Sequence, residues 1–61
     1  DFGETLEGAY RTGDKVIHKD FGVGEIRAVE LGSLGVVYKV YFTQDRSLKS
    51  LVAKFAPLKK L

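Results

Sequence analysis

The run at residues 13–26 constrains the fold of this chain more than any other stretch. It reads GDKVIHKDFGVGEI, so two short apolar stretches flank a turn in which Phe21 precedes a Gly-x-Gly. Apolar runs that are bounded by Gly and Asp and joined by such a turn are typical of a β-hairpin. We therefore predict that a β-domain begins here, with a sharp turn at Phe21 and Gly22.

Length and composition exclude several classes of protein. The 61 residues are enough for one small domain, whose core leaves no space for a deep substrate cavity. The sequence contains no Cys, which excludes disulfides and thiolate metal sites and is compatible with a cytoplasmic location. No apolar run approaches the ~18 residues of a membrane span, so we expect no membrane partner. Because the chain begins with Asp1 rather than Met, we expect it to be a piece of a longer protein.

Charge is distributed unevenly along the chain. Residues 1–14 carry four acids and one Arg, whereas residues 15–61 carry nine Lys or Arg and four acids. Residues 1–12 are predicted to be a flexible linker segment, from which Tyr10 packs back onto the domain. Residues 13–61 form the predicted domain. Its basic face suits a nucleic acid or an acidic protein surface, and equally it could serve only to keep the domain soluble.

Alternation of apolar and polar residues predicts three strands in the first part of the domain. They cover residues 15–18, 23–31 and 36–42, and a bulge is expected near Val29, where the alternation breaks. The side chains predicted to share a face are Val16 with His18, Ile26 with Ala28, and Tyr38 with Val40 and Phe42.

The last segment has two interpretations. Apolar residues at positions 48, 51, 52, 55 and 58 fall at helical spacing, so residues 47–56 could form an amphipathic helix ended by Pro57. The alternative is a strand at 47–51, one helical turn at 52–55 and a short strand at 57–60. The local pattern favours the helix. The need to cover one face of a three-stranded sheet and to remove its edges favours the alternative.

Two blocks of the sequence resemble the C-terminal Tudor-like domain of UvrD/PcrA-type bacterial DNA helicases. Residues 13–26 are similar to its opening pattern, G-D-x-V-x-H-x-x-F/W-G-x-G-x-I/V. Residues 48–58, which read LKSLVAKFAPL, are similar to its closing pattern, K-x-L-x-A-x-F/Y-A-x-L, and residues 38–42 resemble its central strand. The resemblance implies an all-β fold, a small five-stranded SH3-like (Tudor) barrel with one short helical turn before the last strand.

The resemblance also implies a function. In this family the domain hangs from the helicase motor by a flexible linker and docks the helicase on RNA polymerase, for transcription-coupled DNA repair and for clearing conflicts with transcription. The motor domains that hydrolyse ATP are not among these residues, so we expect a non-catalytic protein-interaction domain. We expect it to be a monomer that needs no cofactor and no metal.

Five residues are predicted to bind the partner: Lys49, Arg46, Tyr41, Lys39 and Phe21. Lys49 matches the lysine of the closing pattern, where the resemblance implies contact with the polymerase. Lys39, Tyr41 and Lys49 are expected to lie on one basic face that contains an aromatic ring. Phe21 has two interpretations, as a plug for the open end of the barrel or as an anchor in the interface.

Other functions stay open from the sequence. The same cations could contact the phosphates of DNA or RNA, or the domain could be a structural cap on the motor. His18 has no companion ligands or nucleophile in a suitable pattern, so we expect it to face the barrel and bond the hairpin backbone. Glu25 and Glu30 are five residues apart, so in a regular strand they would point to opposite faces and form no catalytic pair.

Overall fold

Five antiparallel strands form one sheet in the computed structural model, which describes residues 10–56 and 58–61. The strands are β1 (Lys15–His18), β2 (Gly22–Gly32), β3 (Gly35–Phe42), β4 (Ser47–Val52) and β5 (Leu58–Lys60). Their order across the sheet is β4-β3-β2-β1-β5, so the first strand pairs with both the second and the last. This confirms the predicted all-β fold of a small SH3-like barrel. The first nine residues of the predicted linker lie outside the described residues.

The ambiguous segment after residue 46 forms a strand, a turn and a strand. β4 pairs with β3 along its whole length and ends at Val52. The backbone N–H groups of Phe55 and Ala56 then donate to the carbonyl of Val52, each at 3.0 Å. This single hydrogen-bonded turn leads into β5. The long helix that local spacing favoured does not form, because Leu51 packs against the core from a strand that lies beside β3.

The core lies on the inner face of the curled sheet. The alternation of β1 and β3 puts their apolar side chains on this face, and the shared faces predicted for these two strands are confirmed. The buried hydrophobic side chains are Val16, Ile26, Tyr38, Val40 and Phe42.

A bulge in β2 reverses the alternation of that strand. The register with β3 shifts between Ile26 and Ala28, so Arg27 is the extra residue. The predicted bulge is present, although it lies at Arg27 rather than at Val29. Ile26 is buried in the core, whereas Ala28 lies opposite Lys39 on the outer face. The prediction that Ile26 and Ala28 share a face is therefore wrong.

Tyr10 packs back onto the domain, as the sequence predicted, and its contacts also link the start of the domain to its end. Its backbone N–H donates to the hydroxyl of Tyr38 at 3.0 Å, and its own hydroxyl donates to the carbonyl of Leu58 at 2.9 Å. The rings of Tyr10 and Tyr38 lie 5.4 Å apart. Since β3 and β5 are separated by two strands in the sheet, one residue can reach both only because the sheet curls. Tyr10 therefore belongs to the packed domain.

Replacing Gly24 with Ala is expected to destabilise the domain. Gly24 is buried, and a Cβ there would lie 2.7 Å from Val40 Cγ1 and 2.9 Å from the backbone oxygen of Tyr41. Forcing a methyl group into this contact should cost about 1–3 kcal/mol, measured as the free energy of unfolding in urea. The control, Gly32→Ala, meets its nearest atom at 3.2 Å and should cost less. Equal losses in the two variants would contradict this packing.

Replacing Tyr10 with Phe is expected to lower stability by about 1 kcal/mol at neutral pH, because the bond to Leu58 is lost. Burial of the hydroxyl, with a smaller contribution from Tyr38, raises the pKa of Tyr10 above its ordinary value of 10.0. The contribution of the hydroxyl is therefore complete below that value and is lost as the pH rises through the raised folded-state pKa.

Melting temperatures measured from about pH 8 to about pH 11 test this expectation. The gap between the wild-type chain and Tyr10→Phe should be largest at the low end and should shrink towards the high end. The control Tyr41→Phe, which removes a hydroxyl from the outer face, should lower the melting temperature less at about pH 8. A gap for Tyr10→Phe that stays constant or widens with pH would contradict the assignment.

Candidate docking surface

His18 fixes the turn between β1 and β2. It is 6% exposed, and its Nδ1 accepts hydrogen bonds from the backbone N–H groups of Asp20 at 2.9 Å and Phe21 at 3.2 Å. A ring nitrogen that accepts cannot carry a proton, so the proton of the neutral ring lies on Nε2. Gly22 follows with a φ of +82°, a left-handed conformation that favours glycine. The predicted bonding of His18 to the hairpin backbone is confirmed.

Phe21 closes one end of the barrel. Its ring stacks on the imidazole of His18, with 4.4 Å between the centroids, and lies 5.3 Å from the ring of Phe42. Phe21 is half-buried and packs against the core. This confirms its interpretation as a plug. Part of the ring stays accessible, and its role as an interface anchor stays a prediction.

Lys49 lies at the same end of the barrel. Its Nζ is 4.6 Å from the centroid of the Phe21 ring and 3.8 Å from Oδ2 of Asp45, and its side chain is 31% exposed. A cation over an aromatic ring is attracted by the negative face of the ring, so Phe21 and Asp45 together hold the ammonium group. We call His18, Phe21, Asp45 and Lys49 the rim cluster.

Lys49 does not share a face with Lys39 and Tyr41. It lies opposite the fully buried Val40, whereas Tyr41 lies opposite Leu48. Directly opposed residues of antiparallel strands point to the same side of the sheet. The expected single face that contains all three residues is therefore wrong, because the register of β4 puts Lys49 on the inner side, at the rim of the barrel.

Tyr41 and Lys39 belong to a second group on the outer face, where each cation lies beside an acid. The guanidinium carbon of Arg27 is 4.9 Å from the centroid of the Tyr41 ring, and its Nε is 3.5 Å from Oε1 of Glu25. Nζ of Lys39 is 3.4 Å from Oε2 of Glu30. We call these five residues the outer patch. It is a mixed-charge surface rather than a basic one.

The bulge at Arg27 is what assembles the outer patch. Glu25 lies opposite Tyr41, and Glu30 lies opposite Val37, which is on the same face of β3. The two glutamates therefore share a face, and the prediction that they point to opposite faces, which assumed a regular strand, is wrong.

Arg46 lies in the turn between β3 and β4, next to the rim cluster. It is exposed and has a φ of +53°, an uncommon conformation for a residue with a side chain. The hydroxyl of Ser47 donates to Oδ1 of Asp45 at 2.9 Å, which orders this turn from the other side. The turn thus presents Arg46 beside the acid that pairs with Lys49.

His18 lines two grooves. One, of about 490 Å³, is lined by Ile17, His18, Lys19, Leu58 and Lys59. The other, of about 190 Å³, is lined by His18, Ser50, Leu51, Val52, Phe55 and Ala56. Within residues 10–56 and 58–61, no three His, Asp or Glu residues are placed to hold a metal ion. The same part of the chain contains no helix long and apolar enough to cross a membrane.

Sequence reasoning missed two residues that shape these surfaces. Arg27 reaches Tyr41 only because of the bulge, and no local signal gave the position of the bulge. Asp45 precedes Lys49 by four residues, a spacing that usually indicates a helical ion pair, but here a turn leading into a strand brings the two side chains together.

Comparison with known proteins agrees with this geometry. A family model described as the PcrA/UvrD tudor domain matches residues 12–60, which includes all five strands. No curated protein matches the chain significantly. The resemblance seen in the opening and closing blocks is confirmed by this match, which covers most of the chain. On these grounds the chain belongs to the PcrA/UvrD tudor domain family.

Proposed function

We propose that this domain is a non-catalytic docking module that attaches a PcrA/UvrD-type helicase to RNA polymerase in the cytoplasm. Membership of the tudor domain family supports an accessory role beside a helicase. The choice of polymerase as the partner comes from the resemblance of the opening and closing blocks. The observation that best supports a protein partner is that Arg27, Lys39 and Lys49 each lie beside an acid.

The proposed docking surface follows the β4 edge of the sheet. Arg46 precedes this strand. Lys49 is the member of the rim cluster that β4 contributes, and Tyr41 lies on the neighbouring strand β3. Leu48, opposite Tyr41, is 58% exposed and adds an apolar residue that the sequence did not single out. Aromatic and Arg side chains around an apolar centre are typical of protein interfaces.

Charge pairing favours a protein partner over a nucleic acid. Among residues 10–56 and 58–61, the cations that lie within 4.0 Å of a carboxylate oxygen are Arg27, Lys39, Lys49 and Lys60. Proteins that bind a nucleic-acid backbone use a continuous basic groove together with aromatic side chains on which the bases stack. An acid beside each of these cations therefore disfavours binding of phosphates. A protein surface can instead meet such a mixed pattern with complementary charges, which gives specificity.

Replacing Lys49 with Ala is expected to weaken binding of RNA polymerase about tenfold or more, as for a residue at the centre of an interface. The variant should still fold, because a half-exposed cation–π contact contributes only about 0.5–1 kcal/mol. Surface-immobilised polymerase and the 61-residue chain give the dissociation constant. The matched control is Lys59→Ala, which removes the same charge from the exposed part of β5 at the other end of the sheet order. Binding within about twofold of the wild type is expected for this control.

The salt dependence of the same measurement separates the two kinds of partner. If phosphates were bound, the slope of log K against log salt would fall by about one unit for each Lys removed, and a duplex oligonucleotide would compete. We expect instead that nuclease treatment leaves polymerase binding intact and that Lys49→Ala and Lys59→Ala differ. Equal weakening by both substitutions, with loss of binding after nuclease treatment, would replace the docking proposal with phosphate binding.

A further inference from the structure

His18 keeps one hydrogen-bonding group that the fold does not use. Its side chain is 6% exposed, and Nδ1 accepts the two N–H groups of the turn, so the neutral ring carries its proton on Nε2. Within residues 10–56 and 58–61, this N–H donates to no other residue, and no fully buried polar side-chain atom lacks a hydrogen-bond partner. Nε2 therefore reaches the surface, where a ligand can contact it.

The two grooves that His18 lines differ in charge. The larger, of about 490 Å³, is lined by Ile17, His18, Lys19, Leu58 and Lys59, and we call it the β1–β5 groove. The smaller has no Lys, Arg, Asp or Glu among the described residues of its lining. A donor N–H and two cations around one opening fit an acceptor that carries negative charge. The β1–β5 groove is therefore the candidate site for a ligand of Nε2.

The pairing of β1 with β5 brings these groups together. His18 lies opposite Leu58, Ile17 lies opposite Lys59, and Lys19 directly follows β1. Apolar side chains thus stand beside the cations, and Ile17 is 39% exposed. The groove can cover an apolar stem as well as a charged head, which is the chemistry of an acidic side chain among aliphatic neighbours.

The described part of the chain does not neutralise the two lysines of this groove. Neither ammonium group lies within 4.0 Å of a carboxylate oxygen of residues 10–56 and 58–61, whereas Lys60, next to Lys59, is 3.8 Å from Oδ2 of Asp14. Charge complementarity therefore favours an acidic occupant. Phosphate sites are typically built from backbone N–H groups at a helix N-terminus. The described lining belongs to strands and to the residue after one, so a carboxylate fits it better.

The edge of β5 suits an occupant that is an extended peptide. β5 stands at one end of the sheet order, and no strand in the described part of the chain pairs with its second edge. Such an edge exposes backbone N–H and C=O groups that can bond to an added strand. Alternate side chains of an added strand would then point to the same side as the groove.

We propose that the β1–β5 groove binds an acidic, extended peptide segment of a protein partner, with one carboxylate accepting the Nε2–H of His18 beside Lys19 and Lys59. The aliphatic neighbours of that acid cover Ile17 and Leu58. Because the turn already fixes the imidazole, little side-chain entropy is lost on binding. The site lies at the opposite end of the sheet order from β4, so it does not rest on the proposed docking function.

An NMR titration of the 61-residue protein with the peptide acetyl-Ala-Val-Glu-Val-Ala-amide at neutral pH tests this site. The amides of residues 17–19 and 58–60 should shift. The Nε2–H signal of His18 should move downfield and exchange more slowly with water, because the carboxylate accepts its proton. The matched peptide with Gln in place of Glu should bind at least about fivefold more weakly, since it lacks the charge.

Two lysine variants locate the site. Lys59→Ala should weaken binding of the Glu peptide about threefold, as for an exposed ion pair. The matched control is Lys54→Ala, which removes the same charge from the turn before β5 and does not line the β1–β5 groove. Binding within about twofold of the wild type is expected for this control. A larger loss with Lys54→Ala than with Lys59→Ala would place the peptide elsewhere and would overturn the proposal.

The substitution His18→Asn removes the Nε2 donor and keeps an oxygen that can accept the N–H groups of the turn. It should weaken binding of the Glu peptide about tenfold or more, as for a hydrogen bond to a charged group. The imidazole signals of the wild-type protein give the same information if this variant does not fold. Amide shifts that leave the Nε2–H signal unchanged would overturn the role of His18.

Three further results would overturn the proposal. Equal binding of the Glu and Gln peptides would remove the need for an acid. Tighter binding of inorganic phosphate than of the peptide at the same amides would assign the groove to phosphate. Imidazole signals that change with protein concentration alone would assign it to a second copy of the chain. Each of these results leaves the polymerase measurement unaffected, because Lys59→Ala is expected to be neutral there.

Discussion

Two hydrogen bonds to one buried nitrogen organise the end of the barrel that carries Lys49. Nδ1 of His18 accepts the backbone N–H groups of Asp20 and Phe21, which fixes the turn and lays the Phe21 ring on the imidazole. That ring in turn supports the ammonium group of Lys49. The core of a 61-residue domain contributes only about 3–5 kcal/mol of net stability, and each hydrogen bond contributes about 1 kcal/mol. The two hydrogen bonds to His18 are therefore a sizeable part of the stability of this end of the barrel.

Under the docking proposal, the same packing prepares Lys49 to act as an anchor. A lysine on an open surface loses side-chain entropy when a partner binds it, whereas Lys49 is already held between Asp45 and Phe21. The acid beside it also weakens non-specific attraction to phosphates, which suits selection of a protein partner.

Much of the fold could be predicted from local pattern, but the arrangement of the site could not. Alternation correctly gave the inner face of β3, and the opening run gave the turn at Phe21. The segment after residue 46 needed the family resemblance, because helical spacing and a strand with a turn were both compatible with it. The face of Lys49 depends on strand register, where a slip of one residue moves every side chain across the sheet. The contact from Tyr10 to Leu58 spans 48 positions and leaves no local signal.

The tautomer of His18 tests most directly whether the rim is built as described. Nitrogen-15 NMR of the imidazole ring at neutral pH distinguishes a proton on Nε2 from one on Nδ1. The structure predicts a proton on Nε2, an unprotonated Nδ1, and slow hydrogen exchange for the amides of Asp20 and Phe21. A ring protonated on Nδ1, together with rapid exchange at both amides, would contradict the account, because the two backbone hydrogen bonds that fix the turn of Phe21 beneath Lys49 would then be absent.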